Sequence, residues 1–195
     1  MRSFEFARKM ENKKPVLDEN NNEVLAYPQC QLPEYQTPRS AGADFFCAQD
    51  IVVPSIWRVV LRIMAEKVGS AFTLKEITED EKKEFSPKPT LIHTGIKSAM
   101  EDDEVLELYN RSSNPAKLGL ILANSVGVID ADYYNNPDND GDIMFAYYNI
   151  MPYDIEIKTG DRIGQGVFKK QLRPDVGLRV KNAERTGGFG STGKN

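Results

Sequence analysis

Three stretches of this chain carry residue types that could hold and cut a phosphate ester. Arg111-Ser112-Ser113 follows an alternating run, Glu104–Asn110, which sets it at a strand end. A guanidinium fork matches phosphate oxygens in pairs, and hydroxyls with nearby backbone N–H groups add donors. The run Asn124-Ser125-Val126-Gly127-Val128-Ile129-Asp130-Ala131-Asp132-Tyr133 sets stiff β-formers around one glycine. Such a hairpin could read a flat ring with its own backbone, and Asp130 could take a proton from an attacking water. Finally, Arg185-Thr186-Gly187-Gly188-Phe189-Gly190-Ser191-Thr192-Gly193 offers a fork, an aromatic plate that can stack, and glycines that let N–H groups approach an anion. Each has a plainer explanation when taken alone. Arg-Ser-Ser is commonly a turn, an Asp in Ile-Asp-Ala-Asp caps turns, and Gly-rich tails are commonly just tails.

The surrounding pattern is of short apolar stretches punctuated by Gly, Pro and Asn. It predicts strands at 44–48, 90–96, 104–110, 119–123, 143–149, 153–157 and 163–169. Many short strands with frequent turn signals indicate an all-β fold, a sandwich or barrel of jelly-roll type. Residues 1–35 are polar and irregular and read as a loosely attached N-terminal arm, with one strand near 24–27. The β domain spans 36–172, and the Gly-rich tail 173–195 loses apolar periodicity.

Residues 54–86 interrupt this rhythm as a helical insertion. Ile56, Val59, Val60, Ile63, Met64 and Val68 recur at helical spacing, opened by Pro54-Ser55 and stopped by Gly69. Left exposed together they would form an apolar stripe, so they are expected to pack on the barrel or on a protein partner, with Trp57 at the stripe's edge. Thr73-Leu74-Lys75-Glu76 reads as a capping box opening a second, charged helix.

The 195 residues carry a net charge of −4, which argues against a general nucleic-acid binder. No early stretch has the apolar run of a secretory signal, and no run is long enough to span a bilayer. Cys30 and Cys47 make no disulfide framework and suit a reducing, cytoplasmic setting. The single histidine, His93, excludes a His-rich metal site.

In order and spacing, the five motifs Ser40–Asp44, Arg111–Ser113, Asn124–Tyr133, Gly160–Gln165 and Arg185–Gly193 resemble the trimeric dUTPase family. Its members cut dUTP to dUMP and pyrophosphate. The resemblance implies a homotrimer with sites shared between subunits, and a Mg²⁺ ion carried largely by the substrate's phosphates. It implies that Asp130 activates water for attack on the α-phosphorus. Arg111, Ser112 and Ser113 would hold the phosphate chain. Asn124 and the backbone of Gly127, Val128, Ile129 and Met144 would read uracil, with Tyr133 beneath the sugar. Gln165 would touch the distal phosphate, and Asp44 would hold Arg111 and face the metal through water. Arg185, Phe189, Gly190, Ser191 and Thr192 would close over base and γ-phosphate. Arg162 is read as structural, and Gly164, where many relatives carry Ala, as a mild change. The Asn-rich hairpin 134–141 resembles versions in low-GC Gram-positive bacteria and their phages.

Two other functions suit parts of the same pattern. A dCTP deaminase shares the Arg-Ser-Ser motif, but that reaction needs a Glu base after the hairpin, and Gly141–Ala146 contains none. A dUTPase-like regulatory protein could bind a partner through the insertion 54–86.

Overall fold

The computed structural model describes residues 1–67 and 86–176. In chain order its elements are strands β1 (Ser3–Phe6), β2 (Met10–Glu11), β3 (Lys14–Pro15), β4 (Ala43–Phe46) and β5 (Ile51–Val53), then helix α1 (Trp57–Lys67). There follow β6 (Thr90–His93), β7 (Ile96–Ala99), β8 (Glu104–Asn110), β9 (Leu120–Leu122), β10 (Gly127–Asp130), β11 (Met144–Asn149), β12 (Ile155–Ile157) and β13 (Arg162–Lys170). All named strand pairs are antiparallel. The expected all-β, jelly-roll-like character holds, but the described strands form separate small sheets and not one closed barrel.

The largest sheet has the order β10-β8-β13-β4, and a second runs β6-β11-β9. Period-2 alternation explains which residues point inward. In β12, Ile155 and Ile157 are buried while Glu156 is exposed, and in β9 Leu120 and Leu122 bury while Ile121 does not. Phe45, Phe145, Tyr147, Leu106, Leu108, Ile92 and Ile143 meet in one core. Full burial of each large apolar side chain stabilises the fold by about 1.5–3 kcal/mol.

The expected strand at 90–96 is two strands, because the chain changes sheets at Gly95. There φ is +69°, a left-handed value open to glycine. Upstream, β6 pairs with β11, and downstream β7 pairs with β1. The corner is fixed by the Gly95 N–H donating to Asp142 Oδ1 at 2.8 Å and by Thr94 Oγ1 donating to Ile143 O at 2.8 Å.

The N-terminal segment is not a loose arm. Strand β1 runs along β7, from Ser3 opposite Ala99 to Phe6 opposite Ile96. Arg2 pairs with buried Glu104, and that contact holds the Glu104 carboxyl down at about 2. The strand expected near 24–27 is only an isolated bridge from Leu25 to Arg8.

Helix α1 begins where the Ser55 hydroxyl accepts the Trp57 backbone N–H at 3.1 Å. Ile56, Val59 and Val60 are half-buried as expected. Met64 is not packed: it is 52 % exposed and lies near Leu61 and Trp57 on an outward face. The second expected helix and the stop at Gly69 lie outside the described residues.

Gly164 is a correction to the sequence reading. A Cβ built there would sit 2.0 Å from Cε1 of fully buried Phe145, so alanine is not a mild change in this chain. Gly164→Ala should lose about 1–3 kcal/mol, the usual cost of overpacking a core. A lowered urea midpoint at fixed protein concentration checks this, and an unchanged midpoint would show that the Phe145 ring yields without cost.

Candidate active site

The phosphate-type residues converge at one end of the large sheet. Register places Gln165 of β13 opposite Asp44 of β4 on one side and Tyr109 of β8 on the other. Asp44 is 2 % exposed, and its two carboxylate oxygens divide their partners. Oδ1 accepts from Gln165 Nε2 at 2.9 Å, and Oδ2 accepts from Arg162 Nη1 at 3.2 Å. Arg111 Nε lies 4.0 Å from Asp44 Oδ1, and Arg111 Nη1 donates to the Arg162 backbone oxygen at 3.0 Å. Arg111 is thus held by both Asp44 and Arg162. Arg162, expected to be structural, is the nearer ionic partner of the buried carboxylate.

The Arg111–Ser113 turn is also fixed from below. Asn114 opens a one-turn π-helix, Asn114–Leu118, and its buried amide donates to Ile163 O at 2.7 Å. The Tyr147 hydroxyl shares that acceptor at 2.7 Å. Above these groups lies a hollow of about 340 Å³ whose wall includes both Arg111 and Arg162. Ser112 faces solvent and Ser113 is half-buried beside it.

The hairpin residues gather elsewhere. Ser125 takes a left-handed φ of +59°, turning the chain between β9 and β10 and leaving Asn124 exposed. In β10, Gly127 and Ile129 face inward, whereas Val128 is 57 % exposed and Asp130 shares its face. A single 3₁₀ turn, Ala131–Tyr133, then buries the Tyr133 ring. The Tyr133 hydroxyl donates to Asp142 O at 3.2 Å and accepts from Asn139 Nδ2 at 2.7 Å. Met144 starts β11 opposite His93. Asp142 turns its carboxylate inward, to His93 Nδ1 at 2.6 Å and to Gly95 N–H. Burial raises the Asp142 pKa while His93 pulls it down, and burial is the larger influence.

Asp130 and Arg111 are far apart within one chain. Asp130 pairs with Val105 on β8, whereas Arg111 follows the far end of that strand. Six residues at ~3.3 Å each separate the two positions by about 20 Å. Asp130 instead lines a second hollow, of about 460 Å³, with Asp102, Asp132, Gln171 and Arg173. Gln171 is pinned there by its N–H to Asp103 O at 2.9 Å and by its side chain to Asp102 O at 3.1 Å. The sequence reading passed over Gln171 and Arg173, which carry no motif. Arg185, Phe189, Gly190, Ser191 and Thr192 lie outside the described residues.

Among the described residues no three His, Cys, Asp or Glu side chains group to cage a metal. Each Asp44 oxygen keeps a second lone pair beyond its hydrogen bond to Arg162 or Gln165, which suits contact to a metal's water shell and not to the ion itself.

A family profile described as dUTPase matches residues 79–193. The chain belongs to the dUTPase family. It is similar to the deoxyuridine 5'-triphosphate nucleotidohydrolase of Lactococcus lactis, 53 % identical over 103 residues, covering 53 % of this chain and 69 % of that relative. The Rickettsia typhi counterpart is 31 % identical over 165 residues, covering 83 % of this chain and 88 % of its own length. Among solved structures, the dUTPase of Streptococcus mutans aligns with TM-score 0.60 and 33 % identity, over 89 % of this chain and 98 % of that one. The dUTPase of phage phi11 of S. aureus shares the fold at TM-score 0.55 and 17 % identity, over 81 % of this chain and 94 % of that one.

Asp44 anchors the fork in this dUTPase-family chain, so Asp44→Asn, which keeps an acceptor for Gln165 but loses the charge, should weaken Arg111's placement. The expected fall in kcat/KM for dUTP is about 10–100-fold, from losing the charge-assisted hydrogen bond that holds Arg162 (~1.5–3 kcal/mol) together with the 4.0 Å ion pair to Arg111. Steady-state kinetics well below the melting midpoint measure it, and unchanged kcat/KM would show that the Arg162 carbonyl alone holds the fork.

Proposed function

We propose that this enzyme hydrolyses dUTP to dUMP and pyrophosphate in a site completed by three copies of the chain. The roughly 20 Å between Asp130 and Arg111 along β8 carries the proposal. A water held by Asp130 cannot attack a phosphate gripped by the same chain's Arg111. Asp130 of one subunit therefore serves the Arg111, Asp44 and Gln165 cluster of another, and the tail of the third closes over them. A closed ring of three heterologous contacts supplies that arrangement.

In this reading the backbone of Gly127–Ile129 and of Met144, with the Asn124 amide, pairs with the polar edge of uracil. Fixed donors and acceptors reject cytosine, whose exocyclic amino group would leave them unpaired. Tyr133 is the floor beneath the deoxyribose. Arg111, with Ser112 and Ser113, holds the phosphate chain, and Gln165 reaches its distal end once it exchanges its bond to Asp44. Arg185, Phe189, Gly190, Ser191 and Thr192 form the lid, excluding water other than the nucleophile. Asp130 accepts the proton of that water as it adds to the α-phosphorus, and pyrophosphate leaves with the electrons of the broken P–O bond. A bound Mg²⁺, carried by phosphate oxygens and reached by Asp44 through its water shell, would neutralise charge on the leaving group.

The deaminase alternative lacks its base in this structure too. The only carboxylate at 141–146 is Asp142, which is buried and engaged by His93 and Gly95. Free Cys30 and Cys47 support a reducing, cytoplasmic setting, and no described helix is long and apolar enough to cross a membrane. The outward Trp57, Leu61 and Met64 on α1 support a protein partner at the insertion as an additional role.

Asp130→Asn should keep dUTP affinity within about threefold and lower kcat by about 10²–10⁴, the contribution of a positioned general base. Single-turnover hydrolysis and calorimetric binding of a non-hydrolysable dUTP analogue measure the two quantities separately. Near-normal turnover would remove Asp130 from the role of base.

A further inference from the structure

The loop between Asp130 and Met144 is gripped on its outer side by the N-terminal segment. Tyr134 donates its hydroxyl to Glu5 Oε2 at 2.6 Å. Asp140 is fully buried, and its Oδ2 accepts both the Arg8 backbone N–H at 2.8 Å and Arg8 Nε at 2.9 Å. Arg8 Nη2 pairs with the other Asp140 oxygen and reaches Asn135 Oδ1 at 3.4 Å. Lys97 completes the grip, donating to Asn135 Oδ1 at 2.7 Å and Asp140 Oδ2 at 2.9 Å, with its ammonium 5.0 Å from the Tyr134 ring centre.

These anchors sit at turning points of the loop. Asn135 and Asp140 hold left-handed φ angles of +57° and +58°, a conformation that Asn and Asp tolerate better than other non-glycine residues. Tyr133 lies between the anchors and the loop's interior. Its carbonyl accepts the Asn136 N–H at 3.2 Å, and a Cβ on Gly141 would stand only 2.6 Å from that oxygen. The Tyr133 hydroxyl is tied inside to Asp142 O and Asn139. Arg8 itself is fixed to a separate frame, since Ala7 N–H donates to Gly95 O at 2.8 Å and β1 rides on β7. The height of Tyr133 is therefore set from two sides, and the outer side is the N-terminal strap.

We propose that Arg8 and Tyr134 are positioning residues that set the gap above Tyr133 and so fix the preference for deoxyribose over ribose. The inference rests on the reading of Tyr133 as the sugar floor. A strap that lets the floor drop by a few tenths of an ångström makes room for a 2′-hydroxyl without disturbing the base pocket on β10 or the phosphate end of the sheet. Loss of the strap would thus act on the choice between dUTP and UTP more than on dUTP turnover.

Three variants of the full-length protein test this beside the parent: Tyr134→Phe, which removes one hydroxyl, Arg8→Met, and Arg8→Lys. Steady-state kcat/KM is measured for dUTP and UTP at a temperature well below each melting midpoint. Tyr134→Phe and Arg8→Met should each lower the dUTP:UTP ratio about fivefold or more, mainly by raising activity on UTP, while Arg8→Lys recovers part of it, as expected when a misplaced group controls geometry. Tyr133→Val is the control for the underlying reading. A ratio that falls in Tyr133→Val but holds within about twofold in the strap variants would overturn the strap's role alone. A ratio that holds in all of them would overturn the sugar-floor reading and the inference with it. If Arg8→Met does not fold, the Tyr134→Phe result decides.

Discussion

The structure depends on strand β8 being paired along both edges. It lies between β10 and β13, with seven residue pairs to β13 alone. A slip of one residue would turn Leu106 and Leu108 out of the core, so the hydrophobic alternation locks the register. That register places Asp130 near the start of the strand and Arg111 just past its end. The separation of Asp130 from Arg111 is therefore built into the sheet and cannot be closed by a loop movement, and the proposal of a site completed by several chains rests on this distance.

Buried charge is the second organising feature. Asp44, Glu104, Asp140 and Asp142 are each 3 % exposed or less, and each is met by named donors: Arg162 and Gln165, Arg2, Arg8 with Lys97, and His93 with the Gly95 N–H. A buried ion pair adds little net stability compared with apolar packing, but removing one partner is expensive, so such pairs act best as pins of geometry. Here each joins segments far apart in sequence. Asp44 pins Arg162 and Gln165 beside Arg111, Asp142 the corner at Gly95, Glu104 the first strand, and Asp140 the loop that carries Tyr133.

Much of this was legible in the sequence where period and motif spoke. Strand β8 shows alternation long enough to read, β11 and β13 stand out as β-forming stretches bounded by turn residues, and the five motifs carry the family resemblance in the sequence itself. The break at Gly95 was hidden because Thr-Leu-Ile-His-Thr-Gly-Ile at 90–96 is rich in β-formers on both sides of the glycine, and only the change of pairing partner reveals two strands. Strand β1 was missed because four residues flanked by charge carry too little period. The strap from Arg8 to Asp140 spans 132 positions, a separation that no local pattern encodes. Gly164 looked permissive until the Phe145 ring was found against it. Asp44, Arg111 and Gln165 lie together, yet Arg162 was undervalued, since nothing in Gly-Asp-Arg-Ile-Gly-Gln distinguishes an arginine facing Asp44 from one facing water.

A subunit-mixing experiment tests the shared site most directly. Asp130→Asn and Arg111→Ala chains, each inactive alone, are unfolded together in equal amounts and refolded. If the two residues act from different subunits of a trimer, every mixed trimer contains one site with both groups intact, and random assembly restores about a quarter of the parental dUTPase activity. If they act within one chain, every site carries one lesion, and activity stays at the level of the separate variants.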